Sequence, residues 1–306
     1  MTTVRAVVVQ AGSVLFDTPA TLDRLDEWCA KVAEHEPGIV VFPEGFVGGY
    51  PKGLDFGARI GSRTADGRAD YQRYWEAAID VPGPEFDRLA AAAASLRATL
   101  VVGVIERVGR TLYCTALTIG PDGTLLATHR KLMPTAMERL VWGFGDGSTM
   151  GVTSTPAGRV GVAICWENYM PMYRMSQYAD GVEVWCAPTV DDREIWQSTM
   201  RHIGVEGRCF VLSACQYLTR ADAPEDYACV QGNDPATVLI GGGSMIVSPM
   251  GEVLAGPLRD APGLLVADLD LGLIAQGKYD LDVAGHYARP DVFHLHVDRS
   301  PKPPVT

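Results

Sequence analysis

What the sequence has little of narrows its chemistry before any motif is considered. Positive charge is short, with 26 Lys and Arg against 37 Asp and Glu and a formal charge of −11. Phosphate backbones and anionic bilayers select basic surfaces, so neither nucleic acid nor a membrane is expected as a partner. No run approaches the roughly 18 uninterrupted apolar residues that a membrane-spanning helix needs. The first strand-like run, Val4–Val9, comes at once, with no basic and then apolar leader pattern before it, and a cytoplasmic setting is expected. The seven cysteines are odd in number, sit mostly in apolar runs, and show neither CxxC pairs nor zinc spacing, so no metal is expected. Absent too are a GxSxG elbow, an HExxH helix, a Walker A loop and a GxGxxG turn after a strand. No Pro/Ser-rich or charged linker divides the chain. One domain is therefore expected over 1–297, with a loose tail over 298–306, where the last six residues hold three prolines.

What is present reads as strands alternating with helices. Val4–Gln10 is a first strand, and Thr18-Pro19 opens a helix with a hydroxyl cap and Pro at the first helical position. Leu22, Leu25, Cys29 and Val32 keep helical spacing until Pro37-Gly38. A buried strand, Gly38–Phe42, runs into Pro43-Glu44. After a Gly-rich loop come an alanine-rich helix, about Pro84 to Arg97, and the strand Thr99–Glu106. Tight turns at Gly109-Arg110 and Pro121-Asp122-Gly123 lead into strands Thr111–Ile119 and Thr124–His129, so the sheet is not purely parallel. The second half repeats the scheme: strand Val160–Cys165, helix from Pro171, strand Val182–Ala187, helix Asp192–Gly207, strand Cys209–Tyr217, and two strands around Pro249-Met250-Gly251. Gly241–Ser244 reads as a flexible turn. A short repeat, Pro121-x-Gly123-x-Leu125-Leu126-Ala127 against Pro249-x-Gly251-x-Val253-Leu254-Ala255, supports two similar layers packed sheet to sheet with helices outside.

Three side chains carry candidate chemistry. Cys165 closes a short apolar strand before a helix, where the helix dipole would favour a thiolate; a lone cysteine is also commonly a small buried apolar residue. Glu44 follows a fully apolar strand, where partial desolvation would raise its pKa toward that of a useful base; a capping or ion-paired role is the alternative. Lys131 ends His129-Arg130-Lys131. It is a fixed cation if it faces a cleft and a solvated surface charge otherwise. A papain-like pair would need a histidine base, and the six histidines offer few clear candidates for one, which counts only mildly against it. A thiol redox protein would want a second cysteine close by, and Cys186 reads as a strand residue.

Phe42-Pro43-Glu44, His129-Arg130-Lys131-Leu132-Met133-Pro134-Thr135 and Ile164-Cys165-Trp166-Glu167-Asn168 resemble the three signature segments of the nitrilase superfamily of carbon–nitrogen hydrolases, in the family's order. Gly48–Gly53, Met137–Thr149, Cys186–Thr189 and His286–Asp291 are similar to the nitrilase branch, so that the resemblance covers about Val4 to Val297. It implies a four-layer αββα sandwich with mixed sheets and an internal pseudo-twofold. It also implies a Cys165 nucleophile, a Glu44 general base, a Lys131 that stabilises the intermediate, and a second glutamate, Glu138, near the lysine. Tyr50, Trp142, Trp166 and Thr189 are the substrate-binding candidates. Trp166 would act through its backbone N–H, and Trp142, with Trp185 and Trp196, would line an apolar pocket unless these rings belong to the core. The activity implied is hydrolysis of a small-molecule nitrile to acid and ammonia, with amide as a possible by-product and without metal or organic cofactor. An amidase or carbamoylase of the same superfamily is the alternative, and a non-catalytic assembly protein a lesser one. Phe144 stands where plant enzymes usually carry a polar residue, which puts their cyanoalanine-type preference in doubt. A homodimer or higher homo-oligomer is expected by family.

Overall fold

The computed structural model describes residues 3–302. In chain order the first half holds β1 (Thr3–Gln10), α1 (Thr18–Ala33), β2 (Ile39–Val41), a small hairpin of β3 (Ala58–Arg59) and β4 (Ser62–Arg63), α2 (Ala65–Ala77), α3 (Pro84–Leu96), β5 (Thr99–Val108), β6 (Thr111–Ile119) and β7 (Leu125–Arg130). The second half holds β8 (Val152–Thr155), β9 (Gly158–Val162), α4 (Pro171–Ala179), β10 (Val184–Thr189), α5 (Glu194–Gly207), β11 (Phe210–Cys215), β12 (Tyr217–Thr219), β13 (Val238–Val247), β14 (Val253–Arg259), β15 (Gly263–Asp270) and α6 (Gly272–Asp280). One sheet has the order β15-β1-β2-β5-β6-β7. The other runs β12-β13-β11-β10-β9-β8, with β14 beside β13. Each is mixed: β1, β2 and β5 are parallel neighbours, as are β9, β10 and β11, while hairpins extend both sheets antiparallel. β15 crosses back to pair with β1, tying the end of the fold to its start.

The near-continuous apolar runs are explained by burial on both faces. Along β1, Val4, Ala6 and Val8 point between the sheets, and Val7 and Val9 point under α1 and α3. β10 divides in the same way, with Val184 and Cys186 between the sheets and Trp185 and Ala187 under α4 and α5. A strand with two covered faces cannot show polar alternation. Three cores in a row give the αββα sandwich expected above.

Several local expectations shift. The α1 cap is Asp17, whose carboxylate accepts the Ala20 N–H at 2.9 Å; Thr18 is already helical and bonds the carbonyl of Ala77. Helix α5 begins at Glu194 rather than at Asp192, whose carboxylate accepts the Gly241 N–H at 2.8 Å. Gly241–Ser244 is not a turn but the bulged middle of β13. There Gln10 Oε1 accepts the Gly243 and Ser244 N–H groups at 3.0 Å each, and its side chain fills the space a Cβ on Gly242 would need. The tail expected to be loose from Asp298 is anchored as far as Lys302. Arg299 pairs with Asp180 and the Lys302 N–H donates to Asp146 at 2.7 Å. Residues 303–306 lie outside the described residues. No helix among the described residues is long and apolar enough to cross a membrane.

Gly242 combines a φ of +79° with a Cβ position 2.2 Å from Gln10 Nε2, whereas Gly109, at φ +61°, has nothing within 4 Å. Urea unfolding is expected to show Gly242→Val losing about 3 kcal/mol or more and Gly109→Ala only about 1 kcal/mol. Equal losses would show that Gln10 does not pin the bulge.

Candidate active site

The site lies where strands of both sheets end. β2 runs into Phe42-Pro43-Glu44, and that loop folds back so closely on β5 that a Cβ on Gly103 would lie 2.3 Å from the Pro43 carbonyl oxygen. The Glu44 carbonyl accepts Gln216 Nε2 at 2.8 Å, a bond from the opposite sheet. Lys131 follows β7, its backbone N–H bonded to the Cys114 carbonyl at 2.8 Å. From there its ammonium donates to Glu44 Oε1 at 2.7 Å and to Glu138 Oε2 at 2.8 Å. The lysine is 1% exposed and Glu44 fully buried, so this ion cluster is shielded from water. Burial opposes the charge on Lys131, yet Glu44, Cys165 and Glu138 outweigh it and hold the amine well above its ordinary pKa. Burial also lifts the Glu44 carboxyl above the ordinary carboxylate value, against the pull of Lys131 and with a push from Glu138.

Glu138 sits in a short turn, Ala136–Leu140, after Thr135, whose N–H donates to Glu138 Oε2 at 2.6 Å. Tyr50 Oη donates to Glu138 Oε1 at 2.8 Å. Both oxygens are therefore occupied, one by Tyr50 and the other by Lys131 and the Thr135 N–H. Glu44 differs: Oε2 has no hydrogen-bond partner among the described residues, although it is buried.

Cys165 reaches this cluster from the second sheet. β9 ends at Val162, earlier than expected, and Cys165 opens the single turn Cys165–Tyr169 with φ +50°. A non-glycine residue there costs on the order of 1–2 kcal/mol. Asn168 secures the turn: its Nδ2 donates to the carbonyls of Ala163 at 2.9 Å and Cys165 at 2.7 Å, and its Oδ1 accepts Trp185 Nε1 at 2.8 Å. The regular helix starts only at Pro171, so the expected helix-dipole stabilisation of a thiolate has no helix end at the thiol. Burial and then Glu44 push the thiol's pKa far up, against Lys131 and the Thr189 hydroxyl, which donates to the sulfur at 3.3 Å. The resting group is a neutral thiol.

Cys165 lines a cavity of about 180 Å³ together with Tyr50, Glu138, Trp166, Asp191 and Arg193. Trp166 is 42% exposed and held by its Nε1 bond to Asp191 at 2.9 Å, with the Arg193 guanidinium 4.9 Å over its ring. The rim therefore combines an aromatic face with charged groups. Trp142 lines an adjoining cavity instead; its ring lies 5.5 Å from the Lys131 ammonium, and its Nε1 bonds Tyr74 Oη at 3.0 Å. Trp185 and Trp196 are core residues. Thr189 touches the sulfur rather than the cavity, and Phe144 lines neither cavity.

Residue-type reasoning alone passed over Glu167 and His129. The buried Glu167 carboxylate accepts the Ile164 N–H at 2.7 Å, the Leu132 N–H at 2.7 Å and His129 Nε2 at 2.9 Å. It thus clamps the segment carrying Lys131 to the turn carrying Cys165. Burial opposes a charged His129, and Glu167 more than offsets it, raising the imidazole's pKa. The available signal is spacing: His129 and Lys131 are two apart, on one face of an extended segment.

The profile of the carbon–nitrogen hydrolase family matches residues 5–279. A bifunctional nitrilase/nitrile hydratase of Lupinus angustifolius is 56% identical over 99% of this chain and 88% of its own length. An aliphatic nitrilase of Sinorhizobium fredii is 53% identical over 100% of this chain and 99% of its own. Among solved structures, the C. elegans NitFhit protein superposes with a TM-score of 0.76 at 18% identity, covering 99% of this chain and 69% of that one. An amidase from Nesterenkonia sp., with the acetamide moiety of fluoroacetamide added at its active-site cysteine, gives a TM-score of 0.66 at 20% identity, over 89% of this chain and 92% of its own. With a family match across most of its length and relatives above 50% identity, the chain belongs to the carbon–nitrogen hydrolase family.

Proposed function

We propose that this protein is a nitrilase, converting an organic nitrile and two waters to a carboxylic acid and ammonia. One observation carries the C–N hydrolysis chemistry: a buried ammonium bonded to two carboxylates stands beside a buried thiol at a cavity wall. The nitrilase relatives favour a nitrile as its substrate. A nitrile carbon is a poor electrophile, which favours sulfur over oxygen as the attacking atom. The thiol is neutral at rest, so its proton leaves during attack rather than before it, and Glu44, more basic than an ordinary carboxylate, is the acceptor. The S–C bond forms as the nitrile nitrogen takes that proton from Glu44, giving a thioimidate and returning the carboxylate. Water, deprotonated by Glu44, adds to that carbon. Lys131 stabilises the resulting tetrahedral species, an effect of about 3 kcal/mol for one preorganised donor. Glu44 returns the water's proton to the nitrogen as the C–N bond breaks, releasing ammonia and leaving a thioester. A second water, deprotonated by Glu44, then releases the acid as the C–S bond breaks and the sulfur takes that proton back. If the tetrahedral species loses sulfur instead of nitrogen, an amide leaves.

Glu138 positions Lys131 and, through Tyr50, the cavity wall, while Trp166 contributes that wall. The core shared by both sheets supports treating residues 1–297 as one catalytic domain, which we expect to act as a homo-oligomer in the cytoplasm. An amidase reading shares every residue named, and the nitrilase names of relatives above 50% identity favour the nitrile.

The deciding assay compares ammonia release from a nitrile and from its matching amide. Faster turnover of the nitrile is expected, and turnover of the amide alone would sink the reading. Cys165→Ala should abolish both. In a pH series, kcat/KM should fall as pH falls through a value above 4.5, where Glu44 becomes protonated and can no longer accept the thiol proton. No rise should accompany the ordinary thiol value of 9.0, because the thiol titrates higher. Glu167→Gln keeps the shape but loses a charge and one acceptor arrangement. It is expected to lower kcat at least tenfold and to destabilise the fold by about 2–4 kcal/mol, read by activity and urea unfolding. An unaffected kcat would remove Glu167 from the account.

A further inference from the structure

Glu44 uses its two oxygens unequally. Oε1 accepts Lys131 Nζ at 2.7 Å and Cys114 Sγ at 3.6 Å, while Oε2 has no hydrogen-bond partner among the described residues. Cys114 lies on β6 opposite Ile105 of β5, only 1% exposed, and its carbonyl accepts the Lys131 N–H at 2.8 Å. One strand residue therefore touches the base through its side chain and the lysine through its backbone. The Cys114 thiol does not line the cavity beside Cys165, so it is not placed to react with substrate. Burial first, and then Glu44, push its pKa well up, which keeps it an S–H donor toward the carboxylate.

A carboxylate with one donor on one oxygen can still rotate about its Cβ–Cγ and Cγ–Cδ bonds. Two donors converging on the same oxygen, one from β6 and one from the residue after β7, remove that freedom. We propose that Cys114 is a positioning residue that, with Lys131, fixes the Glu44 carboxylate so that Oε2 is the oxygen that takes the Cys165 proton and then a proton from water. This rests on the reading of Glu44 as general base. The other titratable groups facing Glu44 are Glu138 and Tyr50 from their loops, Cys165 from the turn after β9, and Cys215 from β11. Cys165 also bonds toward the carboxyl and lowers its pKa, whereas among the described residues the hydrogen bonds on Oε1 come from Lys131 and Cys114. Removing the Cys114 S–H takes a donor from the ionised form and leaves the neutral form untouched. The Glu44 pKa therefore rises and the base is lost at a higher pH.

The test uses the full chain in two measurements. In Cys114→Ala, the acid limb of kcat/KM for a nitrile is expected to move up by about half a pH unit, the loss falling mainly on the acid side. Loss of packing alone would lower the plateau or the stability without moving the limb, and that result would overturn the proposal. The second measurement holds even if Cys114→Ala folds poorly. In a Cys165→Ala background, the infrared S–H stretch assigned to Cys114 should lie below the free-thiol position and move toward it when Glu44→Gln is added. A band already at the free position, indifferent to Glu44→Gln, would overturn the contact. Glu44→Gln alone separates the two claims. Turnover surviving in it would remove the base and this role together, whereas an inactive Glu44→Gln with an unmoved limb in Cys114→Ala would remove only Cys114.

Discussion

The constraint on which the rest depends is the full burial of the Lys131 ammonium. An ammonium away from water costs several kcal/mol unless paired, and removing one partner of such a pair typically costs about 3–5 kcal/mol. Glu44 and Glu138 meet that requirement from two different loops, at 2.7 and 2.8 Å. Stability and chemistry therefore share the same atoms. The cation that would stabilise a tetrahedral intermediate is also the charge that fixes where both carboxylates lie.

The two-sheet architecture follows the same logic. Glu44 and Lys131 hang from the ends of β2 and β7 in one sheet, while Cys165 and Thr189 come from β9 and β10 in the other. Neither sheet holds the site alone, and the apolar core between them sets their separation. Polar bonds then fix the register across that gap. Gln216 from beyond β11 holds the Glu44 backbone, and Glu167 ties Leu132 to Ile164. Because Cys165 sits at φ +50° in a turn bound by Asn168, its thiol is aimed by backbone geometry rather than activated by a helix end. Activation falls to Glu44.

The sandwich was legible because strands covered on both faces leave long Val- and Ile-rich runs, and the three segments around Glu44, Lys131 and Cys165 stand out against them. What escaped was whatever depends on a distant partner. Gly241–Ser244 reads as a turn until Gln10, more than 200 residues away in sequence, supplies the acceptor that makes it a bulge. Asp192 looks like a helix start until its carboxylate is seen accepting the Gly241 N–H of β13. Helix α2 is hard to read from sequence because its 13 residues carry only three buried ones, giving almost no apolar periodicity. His129 hid among basic neighbours, and only the fold brings Glu167 to it.

The central claim is that Cys165 carries the substrate's carbon during turnover. Intact mass spectrometry of the enzyme quenched during reaction with a slow nitrile tests it most directly. The account predicts an added acyl group on Cys165, absent in Cys165→Ala and lost with time as acid appears. Acid and ammonia accumulating while the protein mass never changes, or an adduct mapping to another residue, would contradict it.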